Sequence, residues 1–294
     1  NIPCISLFIS PIQVKSLHRL PVFYGGKNPN NLPWFLRKIF YFVGDFFFID
    51  HHFGKKINQT RKAYGLKPIS SFIHWATSQL LTIGLWPEWY APSQPDQLHL
   101  KPVGIPQHIE FNAEENKHLN MWITQDNAPT LITLGSGYFF SEELQKTLAQ
   151  ISEAHDERFI FVAAQSETKI ISEKLIVVPH VKLSAILPKC KLLIHHGGAG
   201  TLAQGVNAGI PHLIMPFSHD QPDNAFRIEE NKLGKVFWNT RPSTEDLYNK
   251  MTEVLNTKEI IECSKVAAEK NKQAPVAMSE AVKLIENLFL SQNK

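Results

Sequence analysis

The residues best suited to chemistry fall in one stretch, Cys190 through Asn224: CKLLIHHGGAGTLAQGVNAGIPHLIMPFSHDQPDN. His195 and His196 stand directly before Gly197, Gly198 and Gly200, and Asp220-Gln221 stand near the end. Glycines without Cβ let backbone N–H groups approach an anion closely. A helix that starts at such a turn directs its positive end, worth roughly half a charge, at the same place. Imidazoles can donate further hydrogen bonds to phosphate oxygens. A carboxylate beside an amide can bind adjacent hydroxyls, as on a sugar. A diphosphate held this way needs no metal, and the chain contains no Asp-x-Asp pair. The chemistry implied is nucleotide binding.

Those residues need positioning elements. The apolar run 192–194 predicts a buried strand, and Leu202 and Val206 predict a helix stopped by Asn207-Ala208-Gly209 and Pro211. The run 212–217 predicts the next strand, with Asp220-Gln221 just past its end. Strand, glycine turn, helix and strand form a βαβ unit whose polar residues gather at the carboxyl ends of its strands. The same alternation surrounds it. Strands are predicted at 130–134, 159–163, 175–178 and 235–238. Helices are predicted from Ser141, from Asp220 to about Asn231 and from a Ser243 cap, and Ile186 falls in a single helical turn. A last helix carries Val282, Ile285 and Phe289 on one stripe, suited to packing on another surface. Such alternation predicts a parallel sheet covered on both faces.

Gly198-x-Gly200-x-x-Ala203 with Asp220 also satisfies a relaxed dinucleotide fingerprint. That motif normally follows the first strand of its domain, whereas at least two predicted strands precede it here. It gives no reason for paired histidines or for a Gln beside the Asp, so an NAD-binding oxidoreductase is the weaker alternative.

The ordered set His195-His196-Gly197-Gly198-Ala199-Gly200-Thr201, then Gly209-Ile210-Pro211, Pro216 and Asp220-Gln221-Pro222, resembles the donor signature of the UDP-glycosyltransferase superfamily. Within it, the sterol and antibiotic glycosyltransferase-like branch is the most similar. The resemblance implies an α/β chain of GT-B fold: a complete C-terminal Rossmann-like domain and a partial N-terminal Rossmann-like domain. It implies an acceptor part over 1–106, a linker over 107–127 and a nucleotide-sugar domain over 128–275. It also implies a helix over 276–294 that crosses back to the first domain. His195 matches the histidine that contacts the donor diphosphate, and His196 is left to packing or acceptor contact. Backbone of Gly197, Gly198, Ala199, Gly200 and the Thr201 hydroxyl would meet the phosphates. Asp220 and Gln221 would hold the sugar, Gly135-Ser136 would line the nucleotide, and the segment around His180 would read the base edge. Val177 stands where plant relatives carry a stacking tryptophan, which leaves uracil and thymine both open.

The implied activity is inverting transfer of a hexose from a UDP- or dTDP-sugar to a hydroxyl of an apolar, sterol- or lipid-like acceptor. No cofactor or metal is expected, because the nucleotide sugar is a substrate. The family's general base lies in a first glycine-rich turn that has no counterpart here. Asp50-His51-His52 imitates it, but adjacent residues cannot all face one site, so no catalytic residue is assigned. A non-catalytic sugar-nucleotide binder and a nucleotide-sugar epimerase stay as alternatives.

The chain has 294 residues, 43% of them hydrophobic, enough for about two domains. A formal net charge of +3, without a basic run or RNA-reading motif, argues against nucleic acid. Cys4, Cys190 and Cys263 are odd in number and widely spaced, which points to a reducing, cytoplasmic setting. The chain begins at Asn1 and enters the apolar run 5–9, which predicts an interior strand and a chain lacking its natural N-terminus. Trp34 to Phe48 is the strongest hydrophobic feature, but Arg37, Lys38 and Asp45 interrupt it, so a membrane span is not expected. It predicts a core helix or, alternatively, an acceptor wall or a peripheral membrane contact.

Overall fold

A computed structural model describes residues 4–106, 117–123, 127–135, 142–164, 166–239 and 241–292. The chain divides into two compact units, one of residues 1–22, 27–106 and 275–294, the other of 23–26 and 107–274.

The first unit holds a small parallel sheet of β1 (Ser6–Phe8), β2 (Thr82–Gly84) and β3 (Leu100–Pro102), in that spatial order. The interior strand expected over 5–9 is instead β1 at one end of this sheet, with Leu7 and Ile9 exposed. Between β1 and β2 runs a long helical segment. It consists of α1 (Trp34–Val43), a widened π-type stretch (Gly44–Gly54) and α2 (Lys55–Ala63), followed by α3 (Phe72–Ala76). The helix widens between Gly44 and Gly54. No residue of α1 is buried, so the core-helix expectation fails for it.

The second unit contains α4 (Lys117–Ile123), β4 (Thr130–Thr133), α5 (Glu142–His155), β5 (Phe159–Val162), β6 (Lys169–Ser172), β7 (Leu175–Val178) and α6 (Leu183–Ile186). It continues with β8 (Leu192–His195), α7 (Ala199–Ala208), β9 (His212–Ile214), α8 (Gln221–Glu230), β10 (Gly234–Val236), α9 (Thr244–Asn256) and α10 (Lys258–Gln273). The sheet order is β10-β9-β8-β4-β5-β7-β6. All pairs are parallel except β6 with β7. Apolar runs such as FIFV and LIVV suit strands covered on both sides. Ile132, Phe161, Val177, Ile194 and Leu213 join the core on one face, with Leu148 of α5 and Met251 of α9. Leu131, Ile160, Ile176 and Leu193 join Leu119 and Trp122 of α4 on the other. β6 escaped the sequence reading because all four of its residues are exposed, so no apolar alternation marks it.

Within the segment 107–127, read as a linker, residues 117–123 form α4. α4 buries Leu119, Trp122 and Ile123, and the Arg158 guanidinium lies 3.9 Å over the Trp122 ring. The rest of that segment, residues 107–116 and 124–126, lies outside the described residues, as does Ser141.

The last helix, α11 (Ala277–Gln292), packs on the small sheet of the first unit. Ala281, Leu284, Ile285 and Leu288 face Leu81, Ile83 and Val103. Of the expected stripe only Ile285 points inward, while Val282 and Phe289 are exposed.

Candidate functional site

Counted from β4, the parallel strands of the second unit run 3-2-1-4-5-6, with the order reversing between β4 and β8. A crevice outside the carboxyl ends of strands at such a reversal is where doubly wound sheets bind ligands. Gly135 follows β4 there, and His195 ends β8.

The two adjacent histidines part company at this point. Side chains alternate between faces along a strand, so His195 shares the face of Leu193. The β8–β9 register sets Leu193 against His212 and His195 against Ile214, which makes His195 and His212 diagonal neighbours on one face. Both are fully buried, and His195 Nε2 lies 3.0 Å from His212 Nδ1. Gly197 N–H donates to His195 Nδ1 at 3.2 Å. His195 Nδ1 is therefore the unprotonated nitrogen, its Nε2–H donates to His212 Nδ1, and His212 carries its proton on Nε2. That Nε2 is buried with no hydrogen-bond partner among the described residues. Desolvation pushes His195 well below the ordinary histidine range, with His212 and His196 adding repulsion, and pushes His212 down to about 3. α7 closes over the pair at Gly205, where a Cβ would stand 2.4 Å from His212 Cε1.

His195 is thus not the phosphate ligand that the motif resemblance implied. It is sealed in the sheet, and both ring nitrogens are engaged. Gly197 is corrected with it, since its N–H is given to His195 and its carbonyl accepts from Asn224 Nδ2 at 2.9 Å.

His196, half-buried at the strand tip, is the imidazole at the crevice. Its ring sits between two glycines. A Cβ on Gly135 would stand 2.8 Å from its Cε1, and one on Gly198 would stand 2.4 Å from its Nε2. Gly135 and Gly198 therefore serve first as a cradle for this ring. Its Nδ1 is buried without a well-aligned hydrogen-bond partner among the described residues. Burial lowers the basicity of His196, while the Thr133 backbone and the Asp220 carboxylate pull it partly back up. A largely neutral imidazole with a nearby carboxylate and a buried nitrogen is suited to donating one hydrogen bond to an anion.

Gly198 caps α7 without a side-chain bond, and the first intrahelical bond is Leu202 N–H to the Gly198 carbonyl. The amides of Ala199, Gly200 and Thr201 precede that bond, so they are the ones a helix start leaves to outside acceptors. Gly200 is exposed, and a Cβ there would meet open space.

Asp220 stands at the N-cap position of α8 but makes no side-chain cap bond. Its Oδ2 accepts from Asn224 Nδ2 at 2.9 Å, the same nitrogen that holds the Gly197 carbonyl. Asn224 thereby ties the carboxylate to the glycine turn. Gln221 Oε1 accepts from the Phe217 and Ser218 amides at 2.8 and 3.1 Å. With its oxygen engaged, Gln221 offers a ligand its amide nitrogen. Asn224 and His212 lie inside the singled-out stretch, yet neither was assigned a role. The signal for His212 was a second histidine in an apolar strand run, spaced to meet the first across the sheet.

Other expected residues are not brought to this cluster. His180 is exposed beyond β7, three strand spacings from β8, or about 14 Å across the sheet. Val177 is buried in the core and presents no face to a base. Ser136 lies outside the described residues. The Asp50-His51-His52 group is spread over separate tasks: Asp50 Oδ1 accepts from the Phe72 amide, and His52 Nδ1 contacts the Phe48 carbonyl. The glycine turn follows β8 rather than β4, which separates it from the dinucleotide fingerprint.

Residues 145–288 match the family described as Erythromycin biosynthesis protein CIII-like, C-terminal domain. The chain is 30% identical over 171 residues to the "Uncharacterized glycosyltransferase Rv1524" of Mycobacterium tuberculosis, a match that covers 56% of this chain and 41% of that protein. It is 33% identical over 110 residues to an Oenococcus oeni UDP-N-acetylglucosamine--N-acetylmuramyl-(pentapeptide) pyrophosphoryl-undecaprenol N-acetylglucosamine transferase, covering 36% of this chain and 30% of the relative. The chain thus spans well under half the length of these relatives. The calicheamicin glycosyltransferase CalG4 superposes with a TM-score of 0.63 at 15% identity, over 82% of this chain and 61% of the other.

Proposed function

We propose that the chain is a GT-B glycosyltransferase of the UDP-glycosyltransferase superfamily, as its family match and glycosyltransferase relatives support, and that it binds a nucleotide sugar at the β4–β8 crevice and serves hexosyl transfer. The observation that supports this best is the convergence of His196, the open start of α7 and Asp220 at one sheet reversal. The diphosphate would lie across the amides of Ala199, Gly200 and Thr201, with His196 donating to a phosphate oxygen. Asp220 and the Gln221 amide would take the sugar hydroxyls. The nucleotide would extend from Gly135 toward β7 and His180.

In inverting transfer, the acceptor oxygen attacks the anomeric carbon. The bond from that carbon to the diphosphate oxygen breaks, and its electron pair leaves with the diphosphate. Charge grows on the leaving group, so a preset helix terminus and an N–H donor act where the transition state needs them. The acceptor proton must pass to a base, and we assign that role to no residue of this chain. We propose a UDP- or dTDP-hexose as donor and an apolar hydroxyl compound as acceptor. The relative named for an undecaprenol-linked substrate supports the acceptor class. A sugar-nucleotide binder without transfer is the second reading, favoured by the dispersed Asp50-His51-His52 group.

Two substitutions separate the roles. His196→Ala should weaken UDP and UDP-glucose alike, roughly ten- to a hundredfold, as for a lost hydrogen bond to a charged group. Asp220→Ala should leave UDP affinity unchanged and weaken UDP-glucose about tenfold or more, if two hydroxyl contacts are lost. Calorimetric titration of each variant with both ligands reads this out. Equal losses for the two ligands in Asp220→Ala would remove that residue from the sugar.

A further inference from the structure

The first unit carries a large apolar surface that the donor site does not use. Along α1 and into the widened stretch, Phe35, Ile39, Phe42 and Phe46 recur at helical spacing. They are 63%, 52%, 66% and 58% exposed. Phe47 and Phe48 extend the patch at 59% and 63% exposure. Scattered exposed apolar residues are ordinary, but a contiguous row of large ones marks an interaction surface.

Its electrostatic setting narrows the partner. Residues 1–87 contain ten Lys and Arg against two acidic residues, Asp45 and Asp50, so this segment is +8 in a chain whose net charge is +3. The remainder of the chain is therefore net acidic. Both acids are engaged. Asp45 pairs with Lys15, and Asp50 accepts from the Phe72 amide. Lys38, Lys55, Lys56 and Lys62 are exposed along the same helical segment as the phenylalanines. No described helix is long and apolar enough to cross a membrane. An apolar row flanked by lysines, on a helical segment that is not apolar enough over a spanning length, is the arrangement of an interfacial helix. A second copy of the chain would bring two strongly basic segments together, which opposes self-association through this face.

We propose that the α1 segment docks the protein onto an anionic lipid bilayer, with the phenylalanine row inserted among the acyl chains and the lysines against the headgroups. The inference does not depend on the donor site.

The test is flotation of the purified chain with vesicles of phosphatidylcholine alone and of phosphatidylcholine mixed with phosphatidylglycerol. Binding is expected only to the mixed vesicles, falling about tenfold or more at high salt as the headgroup attraction is screened. Two surface variants, one combining Phe46→Ser, Phe47→Ser and Phe48→Ser, the other Lys38→Glu, Lys55→Glu and Lys56→Glu, should each weaken it about tenfold or more. Their thermal unfolding should match that of the parent chain. Absence of binding to the mixed vesicles, or undiminished binding by either variant, would overturn the proposal. So would a dimer in sedimentation that the phenylalanine variant abolishes, because a second copy would then cover this face.

Discussion

Replacing His195 by alanine should lower the unfolding free energy by about 2–5 kcal/mol, the range for emptying a buried site and stranding its polar partners. The substitution would leave a cavity beneath α7. It would also deprive the Gly197 amide and His212 Nδ1 of their partner in the sheet. His196→Ala, one residue along, should cost clearly less, about 1 kcal/mol, because that ring is only partly buried and packs between two glycines at the crevice. Urea denaturation of the two variants beside the parent chain measures the contrast. A His195→Ala protein as stable as the parent but unable to bind nucleotide would return that residue to the ligand.

Acid should destabilise this fold through the same pair. An unfolded histidine titrates near 6.5, whereas buried His212 is pushed down to about 3 and His195 well below its ordinary range. Between those limits the unfolded chain binds more protons than the folded one. The stabilising effect of keeping both rings neutral is complete above about pH 6.5 and declines as pH falls. Each group removes up to about 1.4 kcal/mol per pH unit, so the pair should cost about 2–4 kcal/mol by pH 5. Denaturation free energies measured from pH 8 to pH 5 should show this slope in the parent and a shallower one after His195→Gln and His212→Gln are combined. Equal slopes would mean that the pair does not titrate on unfolding.

Much of the second unit was legible because its signals are local. Runs such as LLIH and FIFV suit only covered strands, and Gly209 after Ala208 stops α7 with a left-handed φ of 70°. Ser243 caps α9 by accepting from the Asp246 amide, as its position predicted. The gathering of polar residues at the strand ends was legible, but their division of labour was not. Which of two adjacent histidines faces the crevice depends on strand parity and on a diagonal partner 17 residues away, and no local pattern in HHGG carries that information. Gln221 and Gly197 were likewise assigned to the ligand from residue type, whereas the fold first spends their polar groups on its own turns. In the first unit the apolar content of residues 34–48 suggested burial. Hydrophobicity records affinity for an apolar surface and does not say whether that surface lies inside the chain. The α11 stripe fell one position off because several faces of that helix carry apolar residues, and the small sheet selects Ala281, Leu284 and Leu288.

The central claim is that the β4–β8 crevice binds the diphosphate of a pyrimidine nucleotide. Calorimetric titration of the parent chain with UDP, dTDP and NAD⁺ tests it most directly. The expected result is micromolar binding of a pyrimidine diphosphate, with no heat from NAD⁺, and the preferred base identifies the donor. Binding of NAD⁺ in place of the pyrimidine diphosphates, or silence from all three on a chain shown to be folded, would contradict it.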